Sequence, residues 1–123
     1  MRVPTVLLLA PLCLYVVPNL SAQDATKADP AHYSVLSEND QVRILKVHYG
    51  PGEKSVMHSH PDSVAVYLTD AKVKFTFPDG KTQEGEGKAG DAQFTPAATH
   101  LPENIGTGAV EMILIELKGK GGS

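Results

Sequence analysis

Lys72-Val73-Lys74-Phe75-Thr76-Phe77-Pro78-Asp79-Gly80-Lys81 is the stretch that decides the fold. Val73, Phe75 and Phe77 fall on one face and Lys74 and Thr76 on the other, the period of two of a half-buried strand. Pro78-Asp79-Gly80 then supplies a turn whose glycine tolerates positive φ. Lys81 to Glu86 returns as a polar strand, at an edge or facing solvent. The same grammar extends both ways. Tyr33 to Ser37 is a strand turned by Glu38-Asn39-Asp40, and Gln41 to Tyr49 is a second, ended by Gly50-Pro51-Gly52. Ser55 to Leu68 holds one or two strands with a corner near Pro61-Asp62. Gln93 to Thr95 and Val110 to Leu117 complete the set, the last apolar on both faces over most of its length. Roughly eight short strands, turn signals about every 8–12 residues and no helical period predict an all-β domain: a small antiparallel jelly-roll β-barrel with little or no helix.

The beginning of the chain reads differently. Met1-Arg2 is a short positive start, Thr5 to Val17 is apolar except for Pro11, and Asn19-Leu20-Ser21-Ala22 turns small and polar. That order is the pattern of a secretory signal peptide over residues 1–22. The apolar run is shorter than the roughly 20 residues of a spanning helix, so no stable membrane anchor is expected. The reading predicts an exported protein, periplasmic or secreted. Residues 23–31 are polar and small and read as a flexible lead-in, residues 32–118 as the barrel, and residues 119–123 as a disordered glycine-rich tail. The only cysteine, Cys13, lies in the leader, so the mature domain has neither a disulfide nor a thiol nucleophile. The full sequence carries a net charge of −3 without a basic cluster, which argues against nucleic acid or an anionic membrane surface as a partner.

Five histidines follow the leader: His32, His48, His58, His60 and His100. His58-Ser59-His60 places two imidazoles on one face of a strand, about 6–7 Å apart at Cα. The same parity continues through Val64, Val66 and Leu68, which suggests that both rings point inward with the apolar side chains. Two interior imidazoles need partners, and one metal satisfies both. Spacing alone is equally consistent with two surface histidines. His48 reads as a surface residue or an outer support, His32 as surface, and Asn104 as a residue that fixes a turn.

Gly52, five residues, His58-Ser59-His60, then a strand ending Val66-Tyr67-Leu68 resembles the first signature of the cupin superfamily. Gly90-Asp91, four residues, Pro96, then His100, three residues and Asn104 resembles the second. The resemblance implies one divalent transition metal (Fe, Zn, Mn, Cu or Ni) held by His58, His60 and His100. Cupins usually add a glutamate about four residues after the second histidine; here those positions are Val64 and Ala65. The sequence is therefore similar to the three-histidine cupins, dioxygenases among them, more than to the germin type.

Three neutral imidazoles leave the charge of a divalent ion uncompensated and keep positions open for water or a chelating substrate. The expectation is a metal-dependent enzyme, an oxygenase or a metal-assisted lyase or isomerase, on a small oxygen-rich metabolite. Val64, Val66, Phe75 and Phe77 would form the dry wall. The alternative is an exported metal- or small-ligand-binding cupin without turnover. A homodimer through a sheet face or edge is expected, because Val110 to Leu117 has more apolar surface than one interior uses.

Overall fold

The computed structural model describes residues 23–119. The proposed leader, residues 1–22, and the end of the tail, residues 120–123, lie outside the described residues. One four-residue helix, α1 (Ala25–Ala28), precedes nine strands: β1 (Tyr33–Glu38), β2 (Val42–Tyr49), β3 (His58–His60), β4 (Ser63–Tyr67), β5 (Ala71–Thr76), β6 (Thr82–Gly87), β7 (Ala92–Thr95), β8 (Ala98–Asn104) and β9 (Val110–Leu117). They form two antiparallel sheets, ordered β1-β2-β9-β4-β7 and β3-β8-β5-β6. The expected all-β barrel is present.

The predicted hairpin is β5–β6, with Gly80 at φ 86° in its turn and β6 at the sheet edge. Inside the five-stranded sheet, register stacks the core into rows. Tyr33, Val47, Met112 and Tyr67 are successive neighbours across four strands, and Leu45, Leu114 and Ala65 form the next row. Leu45, Val47, Ala65, Val110 and Leu114 are buried.

The corner at Pro61-Asp62 corrects the parity expected along this stretch. It carries the chain from β3 in one sheet to β4 in the other, and the alternation restarts there. Ser63 and Ala65 are the buried residues of β4, whereas Val64 and Val66 take the opposite face beside Phe94 and Ala92 of β7.

The segment expected as a flexible lead-in is packed instead. Asp24 caps α1, its carboxylate accepting from the Thr26 amide at 2.8 Å, and Ala25 is fully buried. The Ser59 amide donates to the Gln23 carbonyl at 2.9 Å, which fastens the segment alongside β3. Polar composition concealed this because the contacts that hold the segment are themselves polar.

Candidate metal centre

His58 and His100 are register partners across β3 and β8, and His60 lies two residues along β3 on the same face. The ligand atoms available from the three all lie within 4.8 Å of one another. The ring centroids are separated by 4.7 Å (His58–His60), 5.1 Å (His58–His100) and 5.3 Å (His60–His100). The sequence-predicted trio is thus brought together.

Hydrogen bonding fixes which nitrogen of each β3 ring faces the centre. His58 Nδ1 lies 2.9 Å from the Val56 carbonyl, which can only accept, so Nδ1 carries the proton and Nε2 the lone pair. That Nε2 is buried and has no hydrogen-bond partner among the described residues. A buried, unpaired nitrogen costs about 1–3 kcal/mol, and it fits a metal, which takes up the lone pair directly. His60 Nδ1 donates to Glu116 Oε2 at 2.8 Å, leaving its Nε2 free in the same way. His100 stacks on Phe75 at 4.9 Å. Burial is the main cause that lowers His58 to about 4, with the neighbouring His60 adding to it. Burial likewise lowers His100 to about 3, with His60 and His58 adding to it. Both rings are neutral at physiological pH, the form that ligates metals.

Glu116 was not singled out from sequence, where Val110 to Leu117 reads as an apolar strand. It is only 2% exposed and accepts from Arg43 Nε at 2.8 Å and Nη2 at 2.6 Å as well as from His60. Arg43, Glu116 and Ser63 are neighbours in register. The available signal was parity: Val110, Met112, Leu114 and Glu116 share the inward face, and a charge in that row needs a buried partner.

A cavity of about 100 Å³ opens beside His60 and His100. Its wall is mostly apolar and includes Val47, Ala65, Phe75, Met112 and Leu114. Of the expected wall only Phe75 is correct; Val64 and Val66 are on the outer face because of the corner, and Phe77 lies beyond the end of β5. At the two positions where cupins usually carry glutamate, Val64 points away and Ala65 presents only a methyl group to the cavity. The Tyr49 hydroxyl donates to the Tyr33 hydroxyl at 2.6 Å, and both rings line the same space. Burial raises both phenols, so they stay neutral.

The other histidines divide. His48 meets Glu111 at 2.5 Å on the surface, as expected. His32, expected at the surface, stacks on Tyr49 at 4.3 Å and pairs with Asp29 at 2.7 Å, because the packed N-terminal segment covers it. Asn104 fixes backbone as expected: its buried amide donates to the Tyr49, Gly50 and Gly108 carbonyls, and its oxygen accepts from the Gly106 amide.

Residues 45–116 match the family described as Cupin domain. This chain belongs to the cupin family. The similar solved structures include a cupin domain from Bordetella pertussis, 22% identical, with a TM-score of 0.65, covering 71% of this chain and 92% of that one. A cupin superfamily protein from Desulfitobacterium hafniense is 22% identical with a TM-score of 0.51, covering 69% of this cupin and 74% of that chain. A conserved protein with a double-stranded β-helix domain from Klebsiella pneumoniae is 21% identical with a TM-score of 0.56, covering 71% and 76%. These likenesses establish the cupin fold. No curated protein matches the sequence.

Proposed function

We propose that this cupin holds one divalent transition metal on His58, His60 and His100 and uses it as a small exported enzyme, an oxygenase or a metal-assisted lyase or isomerase. The observation that carries the metal reading is the buried, partnerless His58 Nε2 beside two further imidazole nitrogens within 4.8 Å. When bound, the metal would supply Lewis acidity or an oxygen-binding centre. The chain's own residues do the rest. His58 and His60 are each held by Nδ1, so their Nε2 lone pairs are aimed before any ligand arrives. Tyr33 accepts from Tyr49 and keeps its own proton available, which makes the phenol pair a hydrogen-bond donor for a substrate oxygen rather than a base.

The cavity also narrows the substrate. About 100 Å³ suits a molecule of a few heavy atoms. Among the described residues no lysine or arginine lines it, so a polar or anionic head would have to face the histidines while the remainder meets apolar wall. Export rests on the leader pattern of residues 1–22 alone.

Binding without turnover is the second reading. It is favoured by one observation: among the described residues no carboxylate or lysine lines the cavity, and Glu116, the acid that contacts His60, is engaged by Arg43. The test is elemental analysis of protein purified from its native host, followed by oxygen-uptake and product assays on small oxygenated compounds. Close to one metal per chain with turnover supports the enzyme, and metal without turnover supports the binder. A chain that copurifies with no metal and takes up none would refute both.

A further inference from the structure

Three neutral imidazoles bring no negative charge to a divalent ion, and neither cupin glutamate position carries an acid. The neighbouring ion pairs, buried at Glu116 and reaching the rim at Asp24, supply what those positions lack. Glu116 touches His60, Arg43 bridges Glu116 at 2.6 Å and Asp24 at 2.5 Å, and the Thr26 hydroxyl donates to Asp24 at 2.8 Å. One guanidinium shared between two carboxylates leaves the group with a net charge of one negative. Arg43 alone would neutralise Glu116; with Asp24 drawing on the same cation, Glu116 keeps charge to place on His60. Asp24 lies at the start of the packed N-terminal segment, and Asp24 and Arg43 both lie outside residues 45–116, which match the cupin family. The opposite end of that segment repeats the device more weakly. Asp29 accepts from the Ser55 hydroxyl at 2.5 Å, and that hydroxyl lies 3.2 Å from His58 Nδ1.

We propose that Asp24, Arg43 and Glu116 act as a net-negative outer support that stands in for the missing carboxylate ligand, with Glu116 as the positioning residue for His60. The N-terminal segment is then a working part of the metal centre. This rests on the metal reading above. It differs from a purely structural role in what it predicts. A structural network would change folding stability and leave ligand basicity alone, whereas an electrostatic support changes affinity for the metal and the ligand field.

The test is Co²⁺ binding to the full chain, read by chelator competition and by the visible d–d spectrum. Glu116→Gln keeps size and should weaken Co²⁺ roughly 10–100-fold and shift the d–d bands. Asp24→Asn, a change at the rim that the fold should tolerate, should weaken it less, about threefold, because it acts through Arg43. In the double variant the two losses should fall short of their product, since Asp24 works only through Glu116. His48→Gln, at the surface pair with Glu111, should bind as the parent does. Affinity within twofold of the parent in Glu116→Gln would overturn the inference, as would independent multiplication of the two effects. Should Glu116→Gln fail to fold, Asp24→Asn decides: an unchanged affinity and spectrum overturns the proposal. A parent chain that binds no Co²⁺ overturns the metal reading and this one with it, whereas a binding parent with indifferent variants overturns this one alone.

Discussion

Without metal this cupin should be acid-labile in a window set by one buried and one half-buried ring, those of His58 and His100. His58 falls to about 4 and His100 to about 3 in the folded, metal-free chain, against 6.5 for an unhindered imidazole. Both values are lowered, so between about pH 6.5 and 4 the unfolded chain binds protons that the folded chain refuses. Stability is therefore complete above pH 6.5 and drains as pH falls. A tenfold difference in proton affinity between the folded and unfolded chain corresponds to about 1.4 kcal/mol. The two rings together amount to something on the order of 5 kcal/mol, less than a simple sum because part of the lowering of His100 comes from His60 and His58. A domain of this size has roughly 5–15 kcal/mol in total. Urea unfolding of chelator-treated protein between pH 6 and 5 should show a slope approaching about 2.7 kcal/mol per pH unit, and His100→Gln should lower it by about half. Zn²⁺ at about a thousand times its dissociation constant should restore roughly 4 kcal/mol at pH 7. Equal slopes in the parent and His100→Gln would refute the reasoning.

Three further outcomes follow from the same geometry. Alanine at His58, His60 or His100 should each abolish most metal occupancy by elemental analysis, because two remaining imidazoles chelate poorly. Of the two positions that lack the cupin glutamate, Ala65→Glu should alter Co²⁺ affinity because residue 65 lines the cavity, whereas Val64→Glu on the outer face should leave it unchanged in a chelator competition. We also propose a homodimer through the outer face of the five-stranded sheet, where Ile44, Ile115, Val64 and Phe94 form one cross-strand row and Phe94 is 59% exposed. Light scattering should give twice the chain mass and Phe94→Asp should give the monomer; a monomeric parent at micromolar concentration would rule this out.

The fold was legible because its strands alternate and its turns carry Pro, Asp and Gly at the required places, as at Phe77 to Lys81. That the three histidines come together was legible through motif order, and His58 and His100 are register partners. Less legible was whatever depended on contacts between residues distant in the sequence. Strand parity could not be carried through Pro61-Asp62, so the inner and outer faces of β4 were exchanged. Glu116 was hidden in an apolar run, and its partner Arg43 lies 73 residues earlier in the chain. The N-terminal segment looked like a linker because its anchoring groups, Asp24, Thr26 and Asp29, are those that solvent-exposed linkers also use.

Two of the three candidate ligands ride on β3, a three-residue strand at the margin of its sheet, paired with β8 on one side and touched by Gln23 and Asp24 on the other. So short an element opens at far lower cost than the central strands, and when it peels away it takes two donors at once. Exchange of a bound ion would then be governed by fraying of this margin and would leave the rest of the barrel closed. Affinity and lifetime can consequently vary separately: a change at the Gln23–Ser59 contact would alter how quickly an ion escapes even where the liganding nitrogens are untouched.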